Sequence, residues 1–372
     1  MKDFFISLRT ELSLTDRLIF LCAFMLSLWG IFCIYSAAAG TSGRGYDFAM
    51  RQGAWLVFSF VMMIVVMYVG HRKLLDGAYP FFAFALLLLF LTNLLAPKVN
   101  GAQSWLGIGG LRFQPSEFAK VSIILALSKF LGRYPPEDLK TFFLALGLIS
   151  LPVILVLLQP DAGSALVFLV ISFVMLFAAG TPLKYLGTIV GAGLAAIPVL
   201  ILFVLKDYQR NRILVFIDPM RDPLGAGYNV IQSRIAVGSG GFLGKGFMLG
   251  TQSKLRFLPE PHTDFIFSVF SEEFGFVGNL VLLFMFGVLL TRVILTGIRS
   301  KDRRCKILVS GVAAWLWFQM FESMGMSIGI VPVTGLPLPF LSYGGSSLLS
   351  IFITLGLVAS ICVEEASNKH GI

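Results

Sequence analysis

Long apolar runs, broken at short intervals by charge, glycine and proline, fill the chain from residue 17 to residue 363. A helix needs about 20 mostly apolar residues to cross a ~30 Å hydrocarbon core. On that criterion the pattern predicts spans at roughly 17–38, 53–70, 77–96, 116–132, 141–158, 162–180, 185–205, 264–293, 307–331 and 347–363. The expected fold class is an all-α polytopic membrane protein of about ten transmembrane helices, a single integral membrane domain over residues 1–372. An even number of spans puts both termini on one side. The long interruption at 206–263 becomes a large loop between the seventh and eighth helices. Ala37-Ala38-Ala39 resembles a signal-peptide cleavage site, but the apolar stretch before it exceeds the usual 7–15 residues or so. It is expected to be the first helix.

Composition narrows the class. The chain is 57% hydrophobic and 13% charged, whereas soluble domains carry about 25% charged residues. Too little polar surface remains to cover a water-soluble globule of 372 residues, which excludes a soluble enzyme, a disordered chain and a secreted disulfide scaffold. The net charge of +9 would suggest nucleic acid in a soluble protein. Its distribution says otherwise. On the predicted topology 15 Lys and Arg residues, among them Arg72, Lys73, Arg133, Lys140 and Arg299 to Lys306, lie on one side. Only 4, namely Arg44, Arg51, Lys98 and Arg112, lie in short loops on the other. Basic residues gather in cytoplasmic loops, so the termini are expected in the cytoplasm, 206–263 outside it, and no nucleic acid as partner. Cys22, Cys33, Cys305 and Cys362 show no CxxC spacing, and His71, His262 and His370 are scattered. Neither a disulfide framework nor a metal site is indicated.

Polar residues inside apolar spans are expensive and point to function. Glu117 and Lys120 open the fourth span at i,i+3 and can pair on one helix face; support of the helix end explains them equally well. Asp161 follows Gln159-Pro160 in a short turn, where a helix cap suffices. Asp264 begins the eighth span at the positive end of the helix dipole, and Glu272 and Glu273 follow two turns on, expected to face the bundle interior. Three segments on the expected outer side, 100–115, 225–250 and 332–347, are rich in glycine and proline yet still apolar. Such backbone survives at membrane depth only where it lines a cavity. Gly191-Ala192-Gly193 lies in an apolar span with no preceding strand and reads as helix packing rather than a nucleotide site. Gly240-Gly241-Phe242-Leu243-Gly244-Lys245 falls short of a phosphate-binding loop, but leaves open a weak backbone nest for phosphate oxygens. An outer cleft with Asp264 and the cations Arg112, Lys120, Arg210, Arg212, Arg234 and Lys245 has no access to ATP. A lipid-linked pyrophosphate sugar fits it: the lipid lies in the bilayer, cations hold the pyrophosphate and a carboxylate handles a proton.

Nearly the whole chain, from the first span to Ser350, resembles the SEDS family of shape, elongation, division and sporulation proteins. The resemblance rests on Asn100-Gly101-Ala102-Gln103-Ser104-Trp105, Arg112-Phe113-Gln114-Pro115-Ser116-Glu117, Gln159-Pro160-Asp161, Gly238-Ser239-Gly240-Gly241, Leu258 to Phe267 with its His262-Thr263-Asp264, and Pro332 to Phe340 followed by Ser342-Tyr343-Gly344-Gly345-Ser346-Ser347. Gly250-Thr251-Gln252-Ser253 before Phe257-Leu258-Pro259-Glu260 is similar to the rod-shape elongation branch rather than the division branch. One departure stands in the ninth span, Phe321-Glu322-Ser323-Met324-Gly325-Met326, where the family usually has Asn in place of Ser323.

The resemblance implies a peptidoglycan glycosyltransferase of the bacterial inner membrane, with its active site on the outer face. It would polymerise lipid II alongside a class B penicillin-binding protein and other elongation-complex proteins. The family's essential aspartate falls on Asp264, expected to be the catalytic base. Arg112, Gln114, Glu117, Lys120, Arg212, His262, Ser346 and Ser347 are the expected substrate-binding residues. No cofactor is specified; a divalent cation, Mg or Mn, fits beside the pyrophosphate, but no ligand cluster calls for one. The rival readings are a flippase for lipid-linked precursors, for which inverted half-repeats are expected and none is evident, a scaffold that recruits a transpeptidase, and the division or sporulation branch of the same family.

Overall fold

The computed structural model describes residues 16–42, 44–97, 103–108, 111–199, 210, 214–223, 225–255 and 257–370. Thirteen α-helices are named here: α1 (Arg17–Ser42), α2 (Gly45–Val69), α3 (His71–Asp76), α4 (Ala78–Leu95), α5 (Pro115–Arg133), α6 (Leu139–Leu158), α7 (Ala162–Ala178), α8 (Leu183–Val199), α9 (Ala226–Ser239), α10 (Thr251–Lys254), α11 (Ile266–Arg299), α12 (Arg303–Ile328) and α13 (Gly345–His370). Each expected span overlaps one of these helices, and residues 200–205 of the seventh lie outside the described residues. Seven (α1, α2, α4, α6, α11, α12 and α13) are long and apolar enough to cross a membrane, and α7 and α8 are shorter apolar helices. The chain is a mostly helical, multi-pass membrane protein. A short antiparallel hairpin, β1 (Leu106–Ile108) with β2 (Leu111–Phe113), precedes α5.

Local signals explain the helix boundaries. Pro115 opens α5, where a missing N–H costs nothing. Asp138, Asp161 and Asp302 cap α6, α7 and α12 by accepting the backbone N–H of Thr141, Ser164 and Arg304. Asp161 also accepts the Ser164 hydroxyl at 2.8 Å, so the capping reading of that residue holds. Gly329, left-handed at φ 78°, ends α12.

The burial pattern inverts that of a soluble protein. Helices α4 and α6 turn Leu87, Phe90, Leu94, Phe143 and Leu158 outward, while α5, α12 and α13 are largely enclosed and bring the polar side chains inside. Nothing but packing and hydrogen bonds draws apolar helices together in lipid, so these internal polar contacts define the bundle.

The two ends of the bundle differ. At one end Arg72 pairs with Glu364 at 2.5 Å, Lys129 reaches the Asp76 carbonyl at 2.6 Å, Arg303 the Ala179 carbonyl at 2.6 Å, and the Glu365 carboxylate accepts the Lys301 N–H. These are the residues expected on the basic side, and they gather as expected. At the other end lie Gln103, Gln159, His262 to Asp264 and the segment 332–347, tied by contacts such as Gln103 N–H to the Gln159 carbonyl at 3.2 Å.

The segment 206–263 is more than a connection. Within it α9 packs on α11 and α12, with the Ser233 hydroxyl 2.7 Å from the Ser327 carbonyl. Its glycine-rich stretch is also not an anion nest. Gly244 N–H donates to Gly240, Lys245 N–H to Glu272 and Gly246 N–H to Glu273, while the Gly241 and Phe242 carbonyls accept from Phe276 and Val277. Donors that close the loop onto α11 have no lone direction left for a phosphate. This contact also breaks α11 at Gly275, whose φ of 64° and ψ of −161° admit glycine almost alone. A Cβ there would sit 2.2 Å from the Gly244 nitrogen. Gly275→Ala is therefore expected to lower stability by roughly 1–3 kcal/mol, read as an earlier thermal transition in detergent.

Candidate functional site

The segment 332–347 is fixed by side chains of α2 and α12, by its own Ser342 and by a backbone contact with His262. Gln319 on α12 donates to the Pro337 carbonyl at 2.8 Å, and Gln52 on α2 accepts the Gly344 N–H at 3.2 Å. The Ser342 hydroxyl donates to the Thr263 carbonyl at 2.7 Å and accepts the Leu338 N–H at 2.8 Å. Tyr343 N–H donates to the His262 carbonyl at 2.9 Å. Irregular backbone in an apolar protein must have its polar groups satisfied internally, and these three side chains and one backbone bond do that. They also place 262–264 directly against 332–347.

Asp264 is partly buried at this junction. Gly335 faces it: φ is +78°, and a Cβ there would lie 3.3 Å from the Asp264 Oδ2. Glycine thus leaves room for the carboxylate. The neighbouring Thr334 hydroxyl donates to Glu322 Oε1 on α12. Asp264 and Glu322 therefore flank two consecutive residues of one loop.

His262 sets its ring at a tilt against Phe48, centroids 4.7 Å apart, and Tyr343, 5.9 Å apart. Burial pulls its imidazole below the ordinary histidine range, with Glu260 opposing weakly. Its Nδ1 is enclosed without a hydrogen-bond partner among the described residues. Gln114 and Ser346 meet, the Gln114 N–H donating to the Ser346 hydroxyl at 3.2 Å, so the start of α5 abuts the start of α13. Ser347 lies one residue on, and its carbonyl accepts the Ser350 hydroxyl at 2.9 Å.

Below them sits the pair Glu117–Lys120 at 2.7 Å, with side chains 1% and 0% exposed. Lys120 Nζ also lies 3.4 Å from Gln319 Oε1 and 4.8 Å above the Trp315 ring centroid. The Trp315 indole donates to the same Gln319 oxygen at 2.6 Å, and the Ser350 hydroxyl to Glu117 Oε2 at 3.4 Å. The pairing expected from the i,i+3 spacing is present, but as an enclosed network under the cleft rather than a cation at its surface.

Of the other expected cations, Lys245 pairs with Glu272 at 2.7 Å and Arg234 donates to the Gly329 carbonyl at 3.1 Å. Arg210 is exposed. Arg212 and the Arg112 side chain lie outside the described residues; the Arg112 backbone pairs with Gly107 in the hairpin. Glu272 and Glu273 both face the interior, as expected, Glu272 binding Lys245, Thr251 and Gln252 and Glu273 accepting from Ser36. Of the three glycine- and proline-rich segments, 332–347 meets Asp264 at Gly335, 100–115 meets 332–347 at Gln114 and Ser346, and the stretch 240–250 packs instead on α11. Ser323, the departure from the family pattern, is buried, and among the described residues its hydroxyl has no partner. Gln319, Glu322 and Thr334 were not singled out by the sequence patterns, although Glu322 is a carboxylate inside an expected span and so carried the usual signal.

Comparison with known proteins extends over almost the whole chain. A family model described as "Cell cycle protein" (FTSW_RODA_SPOVE) matches residues 16–367. The peptidoglycan glycosyltransferase MrdB of Escherichia coli (strain K12) is 40% identical over 331 residues, 88% of this chain and 90% of its own. Proteins named as probable FtsW glycosyltransferases also match, that of Geobacter sp. (strain M18) at 37% identity over 93% of this chain and 96% of its own. Among solved structures, a chain from a peptidoglycan synthase complex that coordinates polymerization and crosslinking has a TM-score of 0.80 at 33% identity, covering 94% of this chain and 98% of its own. The rod shape determining protein RodA of Thermus thermophilus has a TM-score of 0.71 at 31% identity, covering 94% and 96%.

Proposed function

The chain belongs to the FtsW, RodA and SpoVE family, the SEDS family that its motifs resemble, and on that premise we propose that this membrane-embedded peptidoglycan glycosyltransferase polymerises lipid II for elongation of the cell wall. The observation that carries the reading is the meeting of Asp264 with the glycine-bearing loop at Thr334 and Gly335, above the enclosed Glu117–Lys120 pair. The names MrdB and RodA among its relatives favour the elongation branch over division.

In this mechanism Asp264 is the general base. Its carboxylate takes the proton from the acceptor sugar's 4-hydroxyl as that oxygen attacks the anomeric carbon of the donor. The carbon–pyrophosphate bond breaks, undecaprenyl pyrophosphate leaves with the bonding pair, and the configuration inverts from α to β. Glycosidases pair a second carboxyl with the leaving oxygen because an alkoxide is a poor leaving group. A pyrophosphate departs as a stable anion, so one carboxylate suffices, with cations stabilising the charge that develops. Arg112 and Arg212 are assigned to the pyrophosphate, Gln114, Ser346 and Ser347 to the sugar and peptide moieties, and His262 to the wall that aligns Asp264. Glu117 and Lys120 form the floor of the binding cleft.

In this reading the chain has ten spans, with both termini and the basic end of the bundle in the cytoplasm, and the cleft opens at the outer face of the inner membrane. The lipid tail stays in the bilayer and the growing glycan emerges where a class B penicillin-binding protein can crosslink it. The relative from a complex that coordinates polymerization with crosslinking supports such a partner. The deciding experiment is polymerisation of lipid II by the purified protein, alone and with its transpeptidase. Glycan strands are expected in its presence. Transbilayer movement of lipid II without glycan would identify a flippase, and inactivity in both formats a scaffold.

A further inference from the structure

We propose that Gln319 is a positioning residue for Asp264: its buried amide ties the loop that abuts the reacting carboxylate to the enclosed Glu117–Lys120 network, and so holds that carboxylate in line with the acceptor hydroxyl. The inference rests on the assignment of Asp264 as the base.

Residues 332–341 include Pro332, Pro337 and Pro339, which bring no N–H. A loop so poor in donors is located by what its carbonyls and hydroxyls reach. Gly335 is its point of contact with Asp264, a Cβ there lying 3.3 Å from Oδ2. On one side of Gly335 the Thr334 hydroxyl donates to Glu322, and on the other the Pro337 carbonyl accepts the Gln319 amide at 2.8 Å. Gln319 and Glu322 stand three residues apart on one face of α12. A single helix therefore grips the loop on both sides of the residue that meets Asp264. Across from it, Gly163 near the start of α7 presses close, where a Cβ would come 3.1 Å from the Thr334 Cβ and 3.2 Å from the Leu336 Cγ.

The far end of the amide gives Gln319 its role. Its side chain is fully buried, and a polar group is kept there only if it is paired. Oε1 accepts the Trp315 indole N–H at 2.6 Å and lies 3.4 Å from Lys120 Nζ. An indole N–H and an ammonium only donate, and a carbonyl only accepts. The amide thus has one orientation, oxygen toward the network and nitrogen toward the loop; the flipped amide sets donors against donors and oxygen against oxygen. A polar network satisfied in this way specifies a single arrangement. Trp315 and the ion pair fix the amide, the amide fixes Pro337, and Pro337 is two residues from Gly335. Gln319 touches the loop and the network, so it acts through Asp264 and not on the sugar.

The reaction demands such a hold. A general base works only within hydrogen-bond reach of the proton it takes, and a displacement of about 1 Å at a reacting group costs up to about 10²-fold in rate.

The test is lipid II polymerisation by the full-length protein with its transpeptidase, read as turnover number and KM per folded molecule. Gln319→Met keeps the length of the side chain and removes both ends of the amide. Its turnover number is expected to fall about 10- to 100-fold, with KM within about twofold of the wild type. The same substitution is then added to Asp264→Asn, at raised enzyme concentration. It is expected to lower the residual rate no further, because the group that it aligns is already gone. A merely structural role lowers the rate by the same factor in both backgrounds; that result, a wild-type turnover number, or a change confined to KM overturns the proposal. If Gln319→Met yields no folded protein, Trp315→Phe decides by the same comparison. It removes the indole N–H that locks the amide but keeps a ring beside Lys120, and its expected loss is severalfold, again only where Asp264 is present. The premise fails separately: if Asp264→Asn alone remains as active as the wild type, the base assignment falls, and with it this inference.

Discussion

Asp264→Asn is expected to lower lipid II polymerisation by about 10²–10⁴-fold, the range that general-base assistance supplies, and to leave the protein folded. The substitution is nearly isosteric, so the amide still fits against Gly335, whose lack of a side chain makes the space. Asp264 is only partly buried, so no enclosed charge is stranded by its removal. What is lost is the lone pair that accepts the proton. The loss therefore appears in the turnover number, with the affinity for lipid II kept within a few-fold, since a base acts on the reacting hydroxyl and not on ground-state binding. Comparing initial rates and the thermal transition of wild type and variant in the same detergent separates the two effects. Near-normal rates in Asp264→Asn would remove the catalytic assignment.

The residues that were legible in the sequence share a physical trait: they violate a local rule. Asp264 stands at a helix start among apolar neighbours, Glu117 and Lys120 are charges in a span, and the segment 332–347 has too much glycine and proline for a helix and too little polarity for an aqueous loop. Period and composition can find such violations, and the helices themselves follow from runs of about 20 apolar residues. Tertiary relations are a different matter. The i,i+3 spacing predicted that Glu117 meets Lys120, but not that Gln319 and Trp315, two hundred residues on, would enclose the pair. The glycine-rich stretch 240–246 showed the backbone freedom of an anion nest. The N–H groups of Lys245 and Gly246 are instead bound to carbonyls of Glu272 and Glu273 on a broken helix, a partner no local pattern specifies. Glu322 was visible as a carboxylate inside an expected span, yet its contact with Thr334, next to the Gly335 that faces Asp264, was not. Local chemistry is written in the sequence position by position; which positions share a cleft is decided by the packing of the bundle.

The enclosed pair below the cleft gives the largest expected effect on stability. Glu117→Gln leaves the Lys120 ammonium fully buried, with the Gln319 oxygen and the Trp315 face as its remaining contacts. Removing one partner of a buried ion pair typically costs about 3–5 kcal/mol, because the other charge has lost both water and counter-charge. The variant is expected to show an early thermal transition and a low yield of folded protein. Glu117→Gln combined with Lys120→Met removes both charges, and replacing a buried pair by neutral groups of similar volume is often neutral for stability. The double variant should therefore recover most of the lost stability. Its activity then distinguishes two roles that the single variant confounds. A pair that only ties α5 to α12 yields a double variant with restored folding and restored polymerisation. A pair that forms part of the lipid II site, as proposed above, yields one that is folded but still deficient, because the network that shapes the floor under Gln114 and Ser346 is gone. The expected outcome is the second, measured as initial polymerisation rate per folded molecule, and recovery of the full rate would reduce Glu117 and Lys120 to scaffold.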